Sequence, residues 1–154
     1  MVNDLLAKLP ALLPLACQWA KQQEQHIQQH GIALTPQQAG DARLVGVQHP
    51  ELVRLLHVPV IPIPTQPELA AAASLTNLIS PATAGLTLRY GIFVRQDCRG
   101  DRHLIAHELV HTAQYERFGG FEAFLQQYLM ECVTVGYPAA PLEQEAVRRS
   151  EQCR

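Results

Sequence analysis

Long apolar runs are missing from this 154-residue sequence, and so is any dense cluster of basic residues. The first absence excludes a membrane-spanning helix, which needs about 20 consecutive apolar residues. The second, with 12 Lys+Arg against 14 Asp+Glu and a net charge of −2, leaves nucleic-acid binding without its usual electrostatic footprint. No C-x-x-C pair occurs among Cys17, Cys98, Cys132 and Cys153. That argues against a thiolate zinc site or a thioredoxin-type centre and reads the four as buried free thiols. Aromatic residues are few, and eleven prolines point to short helices and frequent turns. No repeat, low-complexity tract or clear linker divides the chain, so residues 1–154 read as one domain, able to bury about 68–70% of its unfolded surface. A clean export signal is also missing. Leu9 to Ala16 is apolar, but Asp4 nearly cancels Lys8, Pro10 and Pro14 interrupt the run, and no small-residue cleavage site follows. This favours a cytosolic location and leaves non-classical secretion open.

Against these absences stands His107-Glu108-Leu109-Val110-His111, an H-E-x-x-H sequence. On a helix, residues i and i+4 share a face with Cβ atoms roughly 5–6 Å apart. Both imidazoles can therefore reach one metal ion at about 2.0–2.1 Å. Glu108 then lies beside the ion, placed to take a proton from a water whose pKa zinc lowers to about 7. Composition alone gives roughly a 2% expectation of one such motif in a chain of this length. The surroundings are helical: Leu104, Ile105, Leu109, Val110 and Ala113 form an apolar side, and Asp101 is a suitable N-cap.

A catalytic zinc needs a third protein ligand and an open position. Gln114 and Arg117 stand where a metzincin extension would place Gly and His, which excludes that branch. His103 is about 12 Å from His111 along a helix axis and belongs at the rim of a cleft. The segment Pro141-Leu142-Glu143-Gln144-Glu145-Ala146-Val147 is a better source. Pro141 suits the first turn of a helix, and Glu143 shares a face with Ala146 and Val147, where an acidic group calls for a cation. Glu143 is the favoured third ligand and Glu145, nearer Arg148 and Arg149, the alternative.

The run from Gly85 to Ala146 resembles the zincin-like metallopeptidases of the gluzincin type, in particular the minimal gluzincins and uncharacterised bacterial HExxH domains. The matching parts are a strand over Leu86–Arg95, the His107–His111 helix and the Pro141–Ala146 helix. The resemblance implies Zn²⁺ held by His107, His111 and Glu143, Glu108 as general base, and a peptide or protein substrate. Val147 departs from the pattern, since many gluzincins carry an Asp there to hold a ligand His. A zinc-dependent hydrolase, most simply a metallopeptidase, is thus the expected function. A non-catalytic, metal-stabilised interaction domain is the alternative.

The rest of the chain reads as an α+β domain, mostly helical, with a small sheet beside the motif helix. One long N-terminal helix buries Trp19 and Ile27 and stops at Gly31. Thr35-Pro36 opens a helix to about Val47, His49-Pro50 a short one through Leu56, and Gln66-Pro67 an Ala-rich one to about Ile79. Val58–Pro62 is expected to be extended. A helix from Phe121 to about Val133 turns Phe124, Leu125, Tyr128 and Leu129 inward. The Tyr90–Arg95 strand, if it lies at an edge, would pair with an extended substrate. Tyr137, Tyr115 and His103 are candidate donors to an oxyanion.

Overall fold

A computed structural model describes residues 2–153 and shows the expected α+β fold. The N-terminal periodicity produces one helix, α1 (Val2–His30), which passes through Pro10 and Pro14. Both prolines are exposed, so the carbonyls left without their N–H partners face water. Leu12, Ala16, Ala20 and Ile27 are buried, and Trp19 packs beside them. After β1 (Ile32–Ala33), Thr35 opens α2 (Pro36–Leu44) through a reciprocal capping box with Gln38.

The next segment departs from expectation. His49-Pro50 starts only a single 3-10 turn, and residues 54–58 form strand β2 (Arg54–Val58) in place of a helix through Leu56. The extended stretch therefore begins four residues before Val58. Pairing decides this: β2 runs parallel to a central strand and buries Leu55, and strand formation follows such packing more than local preference. Pro59, with no N–H to give, stands just past the strand's end. Gln66 caps α3 (Pro67–Leu75) by accepting from the Leu69 N–H, and this helix ends short of Ile79.

The strand expected over Leu86–Arg95 is a hairpin of β3 (Gly85–Leu88) and β4 (Gly91–Arg95). Arg89 makes the turn at φ 60, a conformation that side chains other than Gly resist. Tertiary bonds hold it there. Its guanidinium donates to buried Glu24 at 2.7 and 2.8 Å, and Thr112 donates to its carbonyl at 2.7 Å. The sheet order is β1-β2-β4-β3, with β2 and β4 parallel and the other pairs antiparallel. β4 is thus central and buried on both faces, so the edge role expected of Tyr90–Arg95 falls to β3. Gly91 lets α1 lie on the sheet, for a Cβ there would sit 3.1 Å from the Ile27 side chain.

Alternation along the strands feeds two cores. Leu88 and Phe93 face α1, α3 and α5 (Phe121–Thr134), while Leu55, Ile92 and Val94 face α2 and α4 (Arg102–Phe118). The last helix, α6 (Pro141–Ser150), packs on α4. Among the described residues no helix is long and apolar enough to cross a membrane.

Candidate metal centre

Local signals set the motif helix. Asp101 accepts from the Leu104 N–H at 3.0 Å to start α4, and Gly119, at φ 91, ends it. Because α4 lies between β3 and α6, one turn of it faces both. His107, His111 and Glu143 converge there, with donor atoms all within 4.8 Å of one another. Glu143 Oε1 is 3.1 Å from His107 Nε2, and its Oε2 is 2.8 Å from His111 Nε2. Glu143 and His111 are buried, and His107 is partly exposed.

Each group has a partner that aims it. Gln114, wholly buried, stands 2.8 Å from His111 Nδ1 through its Oε1. Its Nε2 donates to the Leu142 carbonyl at 2.9 Å and to Glu145 at 2.7 Å. Those two acceptors fix the amide's orientation. The Gln114 oxygen must then accept from Nδ1–H, which leaves the His111 Nε2 lone pair for a metal or an acid proton. Since Leu142 precedes Glu143, the same amide ties both candidate ligands together. Tyr128 donates to Glu143 Oε2 at 2.7 Å. Thr87, on the β3 face toward α4, donates to Glu108 Oε1 at 2.8 Å, with the Glu108 carbonyl also 2.9 Å away. Gly85 makes room for Glu108, as a Cβ there would come within 3.0 Å of its Cγ and 3.3 Å of Oε2.

Charge is distributed accordingly. Burial alone would raise the Glu143 carboxyl, but the bonds from His107, His111 and Tyr128 hold it well below the usual range. Burial would lower the His111 imidazole, yet Glu143, Glu108 and Gln114 bring it up to about 9. Burial, with Glu143 and Glu131 nearby, pushes the Cys132 thiol up to about 12. All four cysteines are free; Cys98 is half-buried and the others buried.

The remaining candidates are placed as follows. Glu145 lies outside the cluster and accepts from Gln114 and, at 2.9 Å, from Arg117. His103 is exposed with Nε2 3.2 Å from Ser150 Oγ, and it lines a polar cleft with His107 and Glu108. Tyr137 also borders that cleft, whereas the Tyr115 hydroxyl donates to the Thr87 carbonyl at 3.4 Å. Val147 is exposed, so the buried side of α6 is formed by Leu142, Glu143, Ala146 and Ser150. Sequence reasoning missed Gln114, Thr87 and the bond of Tyr128 to Glu143. Gln114 carried one signal, its i+3 spacing from His111 on the apolar side of the helix.

Two imidazoles and a carboxylate match the donor chemistry of zinc better than the all-oxygen sets of magnesium or calcium. Tetrahedral bonds of about 2.0–2.1 Å place donors about 3.4 Å apart, so about 1.4 Å of closure brings a pair at the 4.8 Å limit into reach. No protein family, curated protein or solved structure matches this chain.

Proposed function

We propose that this chain is a zinc-dependent hydrolase of amide bonds, a metallopeptidase in the gluzincin manner. The observation that carries this reading is the convergence of His107, His111 and Glu143 beside the buried carboxylate of Glu108. A zinc ion in such a set, with its fourth position open, polarises a carbonyl and lowers the pKa of water. The protein's own groups do the rest. Thr87 holds Glu108 Oε1 and leaves Oε2, above Gly85, as the basic oxygen. It takes a proton from water and returns it to the leaving nitrogen. Gln114 and Tyr128 keep His111 and Glu143 aimed at one point. Strand β3, at the sheet edge beside α4, takes over the substrate-pairing role first given to β4.

Metal analysis of the purified protein tests the reading, with about one zinc per chain expected and its loss in His107→Ala. Glu108→Gln should keep the zinc and lose peptide hydrolysis by at least about a hundredfold, within the span of general-base contributions. Zinc-free protein with an unchanged His107→Ala variant would overturn it. The second reading is a metal-stabilised interaction domain, which needs His107, His111 and Glu143 but not the carboxylate of Glu108. Zinc held by wild type and Glu108→Gln alike, with no turnover by either, would support that alternative.

A further inference from the structure

Glu108 stands between two unlike spaces. One is the open polar cleft, of about 500 Å³, bordered by Ser80, Thr83, Asp101, His103 and His107. The other is an apolar cavity of about 120 Å³ between α1, α3, β3 and α5. Gly85, Glu108 and Tyr137 border both, so the two meet beside the candidate base.

Protein interiors hold few voids larger than a water molecule, and this one is larger. Small side chains leave it open: Ala16 and Ala20 of α1 and Ala72 and Ala73 of α3 stand on its walls. Water has little to bind there. The hydroxyls of Thr76, Thr87, Tyr115 and Tyr128 on the lining are all bonded within the protein, and a buried water needs about 2–4 polar partners. Among the described residues the only carboxylates and imidazoles on the lining are Glu108, His111 and Glu143, all of the candidate centre, and no Lys or Arg reaches it. A dry apolar cavity of about 150 Å³ holds one benzene ring. The space here is therefore that of a single large apolar side chain. Phe124 and Tyr128, whose rings meet His111 edge to face, also line it and offer a ring aromatic neighbours.

We propose, resting on the hydrolase reading above, that this cavity is the specificity pocket of the site: it receives one side chain of leucine or phenylalanine size from the residue on one side of the scissile bond. The residue on the other side lies in the polar cleft, which is open and several times larger, so its size is not selected. Helices α1 and α3 then belong to the site, although neither lies in the Gly85–Ala146 run that carries the zincin resemblance. Their four alanines set the size limit. Burying a large apolar side chain contributes a factor of roughly ten to a hundred, so a peptide with Phe in the pocket should exceed its Ala counterpart in kcat/KM by about that much. A side chain larger than the cavity should lose the gain.

Zinc-loaded wild type is given two peptide series that differ in one residue, Gly, Ala, Leu, Phe or naphthylalanine, placed before the scissile bond in one series and after it in the other, with the cleaved bond read by mass spectrometry. One series should rise from Gly to Leu or Phe and fall at naphthylalanine; the other should stay within a fewfold. Ala72→Phe, which carries a ring into the cavity from α3, should bring the Phe-to-Ala ratio of the rising series close to one. Zinc content reports that the variant has folded, and Ala16→Leu is a milder filler. A separate measurement needs no turnover: fluorobenzene binding to Glu108→Gln, followed by fluorine NMR, should be saturable and at least tenfold weaker when Ala72→Phe is added. Saturable binding by a protein that holds no zinc and cleaves nothing would sink the hydrolase reading and keep the cavity as a site for one apolar group. Zinc-dependent turnover that ignores the substituted residue, or gains equally from both sides of the bond, would overturn the specificity pocket and keep the hydrolase reading.

Discussion

Gln114 shows what a single buried amide does at this site. Its oxygen has one available donor, the His111 Nδ1–H, because its nitrogen is committed to the Leu142 carbonyl and Glu145. Replacing it with Leu leaves His111 free to rotate and to take either tautomer, and strips the Leu142 carbonyl of a donor. Groups that orient a metal-bound imidazole contribute about 10–100-fold in metal affinity. Zinc affinity of Gln114→Leu, measured by competition with a chromophoric chelator, should fall by that factor while Glu108→Gln stays near wild type. Equal affinities in all three proteins would show that the amide only fills space. In the sequence this role was hidden: His111 and Gln114 are three residues apart on one helix, but the partners that fix the amide's direction lie 28 and 31 residues away. Thr87 was hidden in the same way, 21 residues from Glu108. The two imidazoles and Glu108 were legible because their relation is local, set by one turn of helix.

Elements with local start and stop signals were legible too. Asp101 and Gly119 bound α4, Thr35-Pro36 opens α2, and Pro141 begins α6. The hairpin and β2 were not, since Arg89 turns only because Glu24 and Thr112 hold it, and β2 is extended only because β4 lies alongside. A further nonlocal device positions the glutamate helix. The N-cap of α6 is Ala140, which offers no side-chain acceptor. The buried carboxylate of Glu131 on α5 serves instead, accepting from the Leu142 N–H at 2.8 Å, with Gln127 donating to its other oxygen at 2.8 Å. Leu142 precedes Glu143, so this cap sets where the candidate ligand starts its helix. Glu131→Ala removes the acceptor and should lower stability by about 1–2 kcal/mol, the range for a lost helix cap, with weaker zinc binding. Glu131→Gln keeps an acceptor oxygen and should retain most of both. Thermal unfolding and zinc titration of the pair check this, and equal losses in the two variants would assign the effect to charge, not to capping.

At the scale of the whole molecule, the sheet separates two cores, and α2 and α4, which share one of them, are also joined by a polar tie. Asp41, buried on α2, accepts from Arg102 in the first turn of α4 through two bonds of 2.9 Å. It joins α2 to the helix that carries His107 and His111. The Arg102 guanidinium lowers the Asp41 carboxyl below its usual value against the opposing effect of burial. A carboxyl lowered by folding stabilises the native state above its unfolded value of about 3.9, and that contribution fades as the pH falls through the lower folded value. Arg102 is 42% exposed, and solvent screening sets the tie at about 1 kcal/mol. Asp41→Asn should therefore unfold about 2–4 °C below wild type at neutral pH. The gap should be full at pH 6–7 and shrink below about pH 4 as the wild-type carboxyl takes up its proton. Urea unfolding across that range, followed by far-ultraviolet circular dichroism, reads the difference directly. A gap that widened toward acid, or was absent at neutral pH, would mean that the Asp41 carboxylate is not what holds α2 to α4.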